Sequence, residues 1–196
     1  QYEHLVQASQ TIDRTTALLV LLGGEAGLRC GEMIALEWQD VDLPNHRLCI
    51  ERSSWNGEVT STKGGRLRYV PMTARLHAAL RQHKHLRSSR VLCENDGTPL
   101  TRQQVQYRVN RAARIAGVKR GVHLLRHTFC SHLAMKGAPV GAIQALAGHQ
   151  ELSVTQRYMH HTPAMLESAI ALLEQTGNRV GAGEIPETGS SALRKY

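Results

Sequence analysis

The sequence predicts an α+β fold, mainly α-helical, with a small three-stranded antiparallel sheet. Three observations carry this. Apolar residues recur at helical spacing over most of the 196 residues; β-type segments are confined to residues 48–70; and the length suits one domain with a real core rather than two.

Residues 11–22 have helical apolar spacing that Gly23-Gly24 is expected to end, and residues 28–38 form a second, shorter helix. Three strands follow at 48–52, 58–62 and 66–70, the last two flanking Lys63-Gly64-Gly65, a hairpin signal with glycines free to take positive φ. In the last strand Arg66 and Arg68 alternate with Leu67 and Tyr69, so one face of the sheet is expected to be basic.

Residues 73–87 read as a basic helix, and Asn95-Asp96-Gly97 as a turn. Thr101 caps a helix reaching about Ala116. Its stripe of Val105, Val109, Ala112, Ala113 and Ala116 opposes Gln103, Tyr107, Arg111 and Arg114, a polar and basic face. Residues 123–135 are apolar nearly all round and predict a buried helix. Pro139 opens another helix and Gly148 stops it. Ser153-x-x-Gln156 matches a capping box, placing Tyr158 on the second turn of a short helix. Residues 163–175 form the last helix, and the Gly/Ser/Glu/Pro composition after it marks 176–196 as a flexible C-terminal tail.

Net charge is +8, and its distribution says more than its total. Residues 59–150 hold 16 Lys and Arg against only Glu94 and Asp96, while the remainder is acidic. Clustered cations gain free energy by releasing counterions from a polyanion, so double-stranded DNA is the expected partner. A membrane surface is not, since no strongly amphipathic Trp/Lys helix appears. Cys30, Cys49, Cys93 and Cys130 have no paired spacing, which fits neither a disulfide framework nor a zinc ribbon. With no long apolar run and no signal segment at the start, the expected setting is cytoplasmic.

The chemistry-bearing residues lie late in the chain. HLLRH puts His123 and Arg126 on one helical face, and an arginine on so apolar a helix needs an anion or a carboxylate. His123 and His127 at i, i+4 would suit a metal, but Leu124 stands where a metalloprotease needs Glu, so no metal and no cofactor are expected. Tyr158, in GHQELSVTQRYMHH, sits among Arg157, His160 and His161, an odd place for a packing tyrosine.

Four segments, AGLRCGEMIALEWQDVDL, TKGGRLRYVPM, HLLRHTFCSHLAMKGAPVGAIQALAGH and TQRYMHH, resemble in order and spacing the motifs of the tyrosine-recombinase catalytic domain, that of the phage-integrase and Xer-like enzymes, over about residues 11–175. Each alone is weakly specific; together they are highly specific. The resemblance implies a tyrosine-recombinase-like catalytic domain over residues 1–175, without the N-terminal core-binding domain of such enzymes, since nothing before Thr11 supplies one. It implies site-specific cutting and rejoining of DNA through a 3′-phosphotyrosyl intermediate, other protomers as partners in a tetrameric synapse, and the catalytic set Arg29, Lys63, His123, Arg126, His149 and Tyr158. Glu32 is implied as a supporting carboxylate.

Two guanidiniums and an imidazole N–H suit a phosphoryl transition state without a metal. On this reading Arg29, Arg126 and His149 stabilise charge, His123 takes the Tyr158 proton, and Lys63 protonates the leaving 5′-oxygen. His127, Lys119, Arg120, Arg157, His160 and His161 are read as backbone or solvent groups; Trp38 and Trp55 are assigned packing. Arg66, Arg68, Tyr107, Arg111 and Arg114 are the expected DNA contacts. The rival readings are a type IB topoisomerase, a DNA-binding relative that has lost catalysis and, third, a metal-dependent nuclease. The helix at 163–175 favours a recombinase, and the filled catalytic set argues against a lost activity.

Overall fold

The structure, a computed structural model, describes residues 1–55, 57–61 and 67–159, together with residues 167, 170 and 171. The chain divides into two units, Gln1–His160 and His161–Tyr196. All elements named below belong to the first. In the second, Glu167, Ile170 and Ala171 are helical, in line with the expected helix at 163–175. The rest of that helix, the tail at 176–196, and Lys63, Arg66, His160 and His161 lie outside the described residues.

Helices dominate, in the order α1 (Tyr2–Gln10), α2 (Arg14–Glu25), α3 (Cys30–Ala35), α4 (Ala74–His83), α5 (Arg102–Ile115), α6 (Val122–Met135), α7 (Val140–Ala147) and α8 (Leu152–Gln156). The strands β1 (Val41–Asp42), β2 (Arg47–Ile50), β3 (Arg52–Trp55), β4 (Glu58–Ser61) and β5 (Arg68–Pro71) lie between α3 and α4. Leucines of α2, with Leu48, Val70, Leu76, Leu80, Val105, Val109 and Leu125, close a single large core, and α6 and α7 share a smaller one around Phe129, Cys130 and Ile143.

Gly23 and Gly24 lie inside α2 rather than ending it. A Cβ on Gly23 would stand 2.7 Å from Leu125 Cβ, and one on Gly24 would stand 2.3 Å from the Tyr2 ring. The glycines admit α6 and α1 against the α2 backbone, a packing demand that local propensity does not report. α2 starts at Arg14 rather than at residue 11, with Asp13 as its N-cap accepting from Thr16 N at 2.7 Å.

A three-stranded antiparallel sheet is present, with different members from those expected. The order is β1-β2-β5, and β3 pairs only with β4 in a separate hairpin. The segment read as one strand at 48–52 breaks at Glu51: Leu48 and Ile50 turn into the core opposite Val70 and Arg68, whereas Arg52 begins the hairpin, with Nη2 2.7 Å from Asp40. α4 is shorter than expected and stops at His83, whose Nε2 meets Val91 O at 3.1 Å. α5 follows its expectation closely, with a Thr101–Gln104 capping box, Val105, Val109, Ala112 and Ala113 buried, and Tyr107, Arg111 and Arg114 exposed.

The capping box expected at Ser153–Gln156 does not form. α8 begins at Leu152 with Glu151 as its N-cap, so Tyr158 falls in the turn that follows, its N–H donating to Thr155 O at 3.0 Å.

Candidate active site

The site is assembled around one buried carboxylate. Arg29 is the N-cap residue of α3, and Glu32, three residues on, accepts from Arg29 N at 2.8 Å and from Arg29 Nη1 at 2.8 Å. Arg68 of β5 reaches the same carboxylate with two further bonds, Nη1 to Oε1 at 3.0 Å and Nη2 to Oε2 at 2.7 Å. Burial would raise the Glu32 carboxyl, but the bonds from Arg68 and Arg29 outweigh it and hold the group below its ordinary value. Glu32 is therefore ionised and orients two guanidiniums at once.

Arg68 was expected to face DNA, but its side chain is turned inward and its guanidinium is taken up by Glu32 and, through Nε, by Leu146 O at 3.0 Å. The basic sheet face is thus not what Arg68 builds.

α7 ends at Gly148 in the left-handed conformation, φ 66°. That turn presents Gly148 O to Arg29 Nη2 at 2.8 Å and delivers His149 beside it. Glycine is required twice here, for the positive φ and because a Cβ would stand 3.1 Å from Arg68 Nη1.

Arg126, on the inner face of α6, is only 9% exposed; its Nη1 donates to Gly27 O at 2.7 Å, while Nη2 is buried with no hydrogen-bond partner among the described residues. Burial, with Arg29 and Arg68 adding like charge, lowers its pKa to about 10. Three guanidiniums thus gather around one carboxylate. The excess positive charge and the unmatched N–H together define an anion site.

His149 has its Nδ1 2.8 Å from Thr155 Oγ1. Burial first, then the charges of Arg126 and Arg29, lower its pKa to about 4, so the ring is neutral at physiological pH. The Thr155 hydroxyl occupies Nδ1, and in the tautomer where it donates to that nitrogen the ring proton is on Nε2, available to an anion. Thr155 was not singled out in the sequence; its spacing of three before Tyr158 was the available signal.

Tyr158 packs its ring against the smaller core, stacked nearly parallel to His149 at an interplanar angle of 8°. It is half-buried rather than exposed, and burial raises its phenol pKa, with Cys130 acting in the same direction and Arg126 opposing. Its hydroxyl bonds to His127 Nδ1, not to His123. His123, expected to take the tyrosine's proton, is exposed on the first turn of α6, its ring 5.8 Å from that of His127.

The structure therefore brings together Arg29, Glu32, Arg126, His149 and Tyr158, and adds Arg68, His127 and Thr155. Among the described residues no group of three or more His, Cys, Asp or Glu is placed to hold a metal ion, and no helix is long and apolar enough to cross a membrane.

A model of the phage integrase family matches residues 1–165. The chain belongs to that family. It is 32% identical over 164 residues to tyrosine recombinase XerC of Thermodesulfovibrio yellowstonii, covering 76% of this chain and 51% of the relative. It is 36% identical over 158 residues to tyrosine recombinase XerA of Thermococcus kodakarensis, covering 78% and 53%. The chain thus spans about half the length of these curated relatives. The fold is shared with the Tn1549 transposon integrase solved in complex with transposon right end DNA, at a TM-score of 0.71 and 20% identity, covering 90% of this chain and 64% of that one.

Proposed function

We propose that this chain is the catalytic part of a site-specific DNA recombinase that cuts and rejoins double-stranded DNA through a 3′-phosphotyrosyl link. The observation that carries the reading is the buried, unmatched Nη2 of Arg126 in the same cluster as the Tyr158 hydroxyl. A phosphodiester oxygen supplies the anion this cluster needs, and the Tyr158 phenol stands beside it as a nucleophile.

Arg29, Arg126 and the Nε2–H of His149 stabilise the charge that grows on the non-bridging oxygens. His123 adds an imidazole at the positive end of α6. Lys63 protonates the leaving 5′-oxygen, a role that rests on its place in the TKGGRLRYVPM segment. The exposed Tyr107, Arg111 and Arg114 of α5, and Arg66, contact the duplex. The relatives' names and the DNA bound to the Tn1549 integrase support this partner. Strand exchange needs other protomers, assembled as a tetramer on two sites. The free cysteines and a DNA substrate support a cytoplasmic setting for the reaction.

The test is a nicked suicide duplex tiling the DNA on either side of the reading frame, incubated with full-length protein and run on a denaturing gel. A covalent band is expected with the wild type and absent in Tyr158→Phe. A band that survives in Tyr158→Phe rejects the assignment.

A further inference from the structure

We propose that His127 is a catalytic residue of this site, the base that takes the proton from Tyr158. The inference deepens the phosphotyrosyl reading and rests on it. It starts from one contact: the Tyr158 hydroxyl meets His127 Nδ1, whereas His123, one helical turn earlier, has its ring 5.8 Å from that of His127 and no hydrogen bond to Tyr158 among the described residues.

The reach follows from two elements. His127 is on the exposed side of α6, one position after the buried Arg126, so the helix that aims a guanidinium into the anion site aims an imidazole at its rim. Tyr158 approaches that rim from the turn after α8, its backbone fixed by the bond to Thr155 O at 3.0 Å and its ring seated on the smaller core. A base must be within hydrogen-bond reach of the proton it removes, and His127 is.

The surroundings favour the neutral, accepting ring. Among the described residues, the charged or titratable groups facing His127 are His123 and Arg126 on its own helix, His149 after α7 and Tyr158 after α8, with Lys119, His132 and Tyr2 lining the cleft beside α6. None is a carboxylate that would hold the imidazolium. Burial, with His123 and Arg126, lowers the ring below its ordinary value.

The step balances as follows. The Tyr158 O–H bond breaks and its proton passes to Nδ1 as the phenolic oxygen bonds to phosphorus; the bond from phosphorus to the 5′-oxygen breaks, and that oxygen takes its proton from a separate acid. On rejoining, a 5′-hydroxyl gives its proton back to the conjugate base of that acid and bonds to phosphorus, the bond from phosphorus to the phenolic oxygen breaks, and the His127 imidazolium returns its proton to the departing phenolate. The ring is thereby reset without any co-reactant.

Two measurements test this. In long-range proton–nitrogen spectra of the full-length protein labelled at histidine nitrogen, His127 is expected as the Nε2–H tautomer, with an Nδ1 resonance that moves in Tyr158→Phe. A His127 ring carrying its proton on Nδ1 cannot accept and overturns the proposal with no substrate needed. On the nicked duplexes tiling the flanks of the reading frame, His127→Asn keeps an acceptor near the Nδ1 position but no base. It should slow covalent attachment at least about a hundredfold and abolish the decline in rate at acidic pH that the wild type shows, whereas His123→Asn keeps that decline.

DNA with a bridging 5′-sulfur, whose thiolate departs without a proton, should leave His127→Asn slow. Recovery of wild-type rate on it would move His127 to the leaving-group side and overturn the proposal. So would a faster His127→Asn, which would mark the contact as a latch on the nucleophile. Tyr158→Phe on the same gel separates the two readings. If its band is lost while His127→Asn matches wild type, only the base assignment fails; if its band remains, the phosphotyrosyl reading itself fails.

Discussion

Thr155 Oγ1 stands 2.8 Å from His149 Nδ1, and Thr155 is wholly buried. The hydroxyl fixes the ring orientation by engaging Nδ1 and, when it donates there, leaves the proton on Nε2 to face the phosphate.

Thr155→Val keeps the shape and removes the hydroxyl. The ring then divides between two tautomers, only one of which can donate. Covalent attachment is expected to slow roughly tenfold, about 1.4 kcal/mol of transition-state stabilisation, with DNA affinity unchanged. Single-turnover attachment on the suicide duplex and a binding titration measure the two. An undiminished rate would show that Thr155 does not orient His149.

Glu32 holds two guanidiniums from inside the protein, at 2% exposure. Glu32→Gln leaves Arg29, Arg68 and Arg126 facing one another without compensation, and a loss of about 3–5 kcal/mol of folding stability is expected in urea denaturation. The pH dependence has a definite sign. The folded carboxyl titrates below its ordinary value of 4.5, so its contribution is fully present above that value and disappears as pH falls through the lower folded one. Glu32→Gln should lack this component of acid lability.

How much of this was legible in the sequence depended on whether a residue's role is local. Arg29, Glu32, His123, Arg126, His149 and Tyr158 stood in recognisable segments, and α5 was readable because one stripe of small and branched apolar residues opposes one polar face. What escaped was set by contacts across the chain. Gly23-Gly24 looks like a helix stop unless Leu125 and Tyr2 are known to press on it. Arg68 looks like a phosphate ligand until Glu32, 36 residues away, is seen to claim it. The choice between His127 and His123 turns on where the chain after α8 returns, which no periodicity in α6 encodes.

His149 makes a second pH prediction. Its folded pKa is lowered from 6.5 to about 4. Between those values the unfolded chain binds a proton that the folded site refuses, so stability is unaffected above the upper value and falls as pH drops across the window. The cause is burial next to Arg126 and Arg29, so an anion that neutralises those charges should raise the His149 pKa. Histidine resonances followed through pH with and without vanadate test this; a pKa that ignores the anion would place the ring outside the guanidinium field.

Arg126 sets function against stability. Its charge is carried at a cost: the pKa is lowered from its ordinary value to about 10, one guanidinium nitrogen has no partner among the described residues, and Arg29 and Arg68 repel it. A folded pKa below the unfolded one means that the DNA-free fold disfavours the charged form at every pH below about 10. Arg126→Met keeps a long side chain at this buried position and removes the charge. It also strands Gly27 O, which now accepts from Nη1 at 2.7 Å. Losing this charge-assisted bond costs about 1–3 kcal/mol, which is offset by removing a desolvated charge that Arg29 and Arg68 repel. The DNA-free variant is therefore expected to melt at or above the wild-type temperature while covalent attachment falls at least about a hundredfold. Thermal melts with and without DNA separate the terms: the wild type should gain more from DNA than Arg126→Met does. A variant that melts well below the wild type in the absence of DNA would show that Arg126 is a structural arginine, satisfied within the fold rather than waiting for a phosphate.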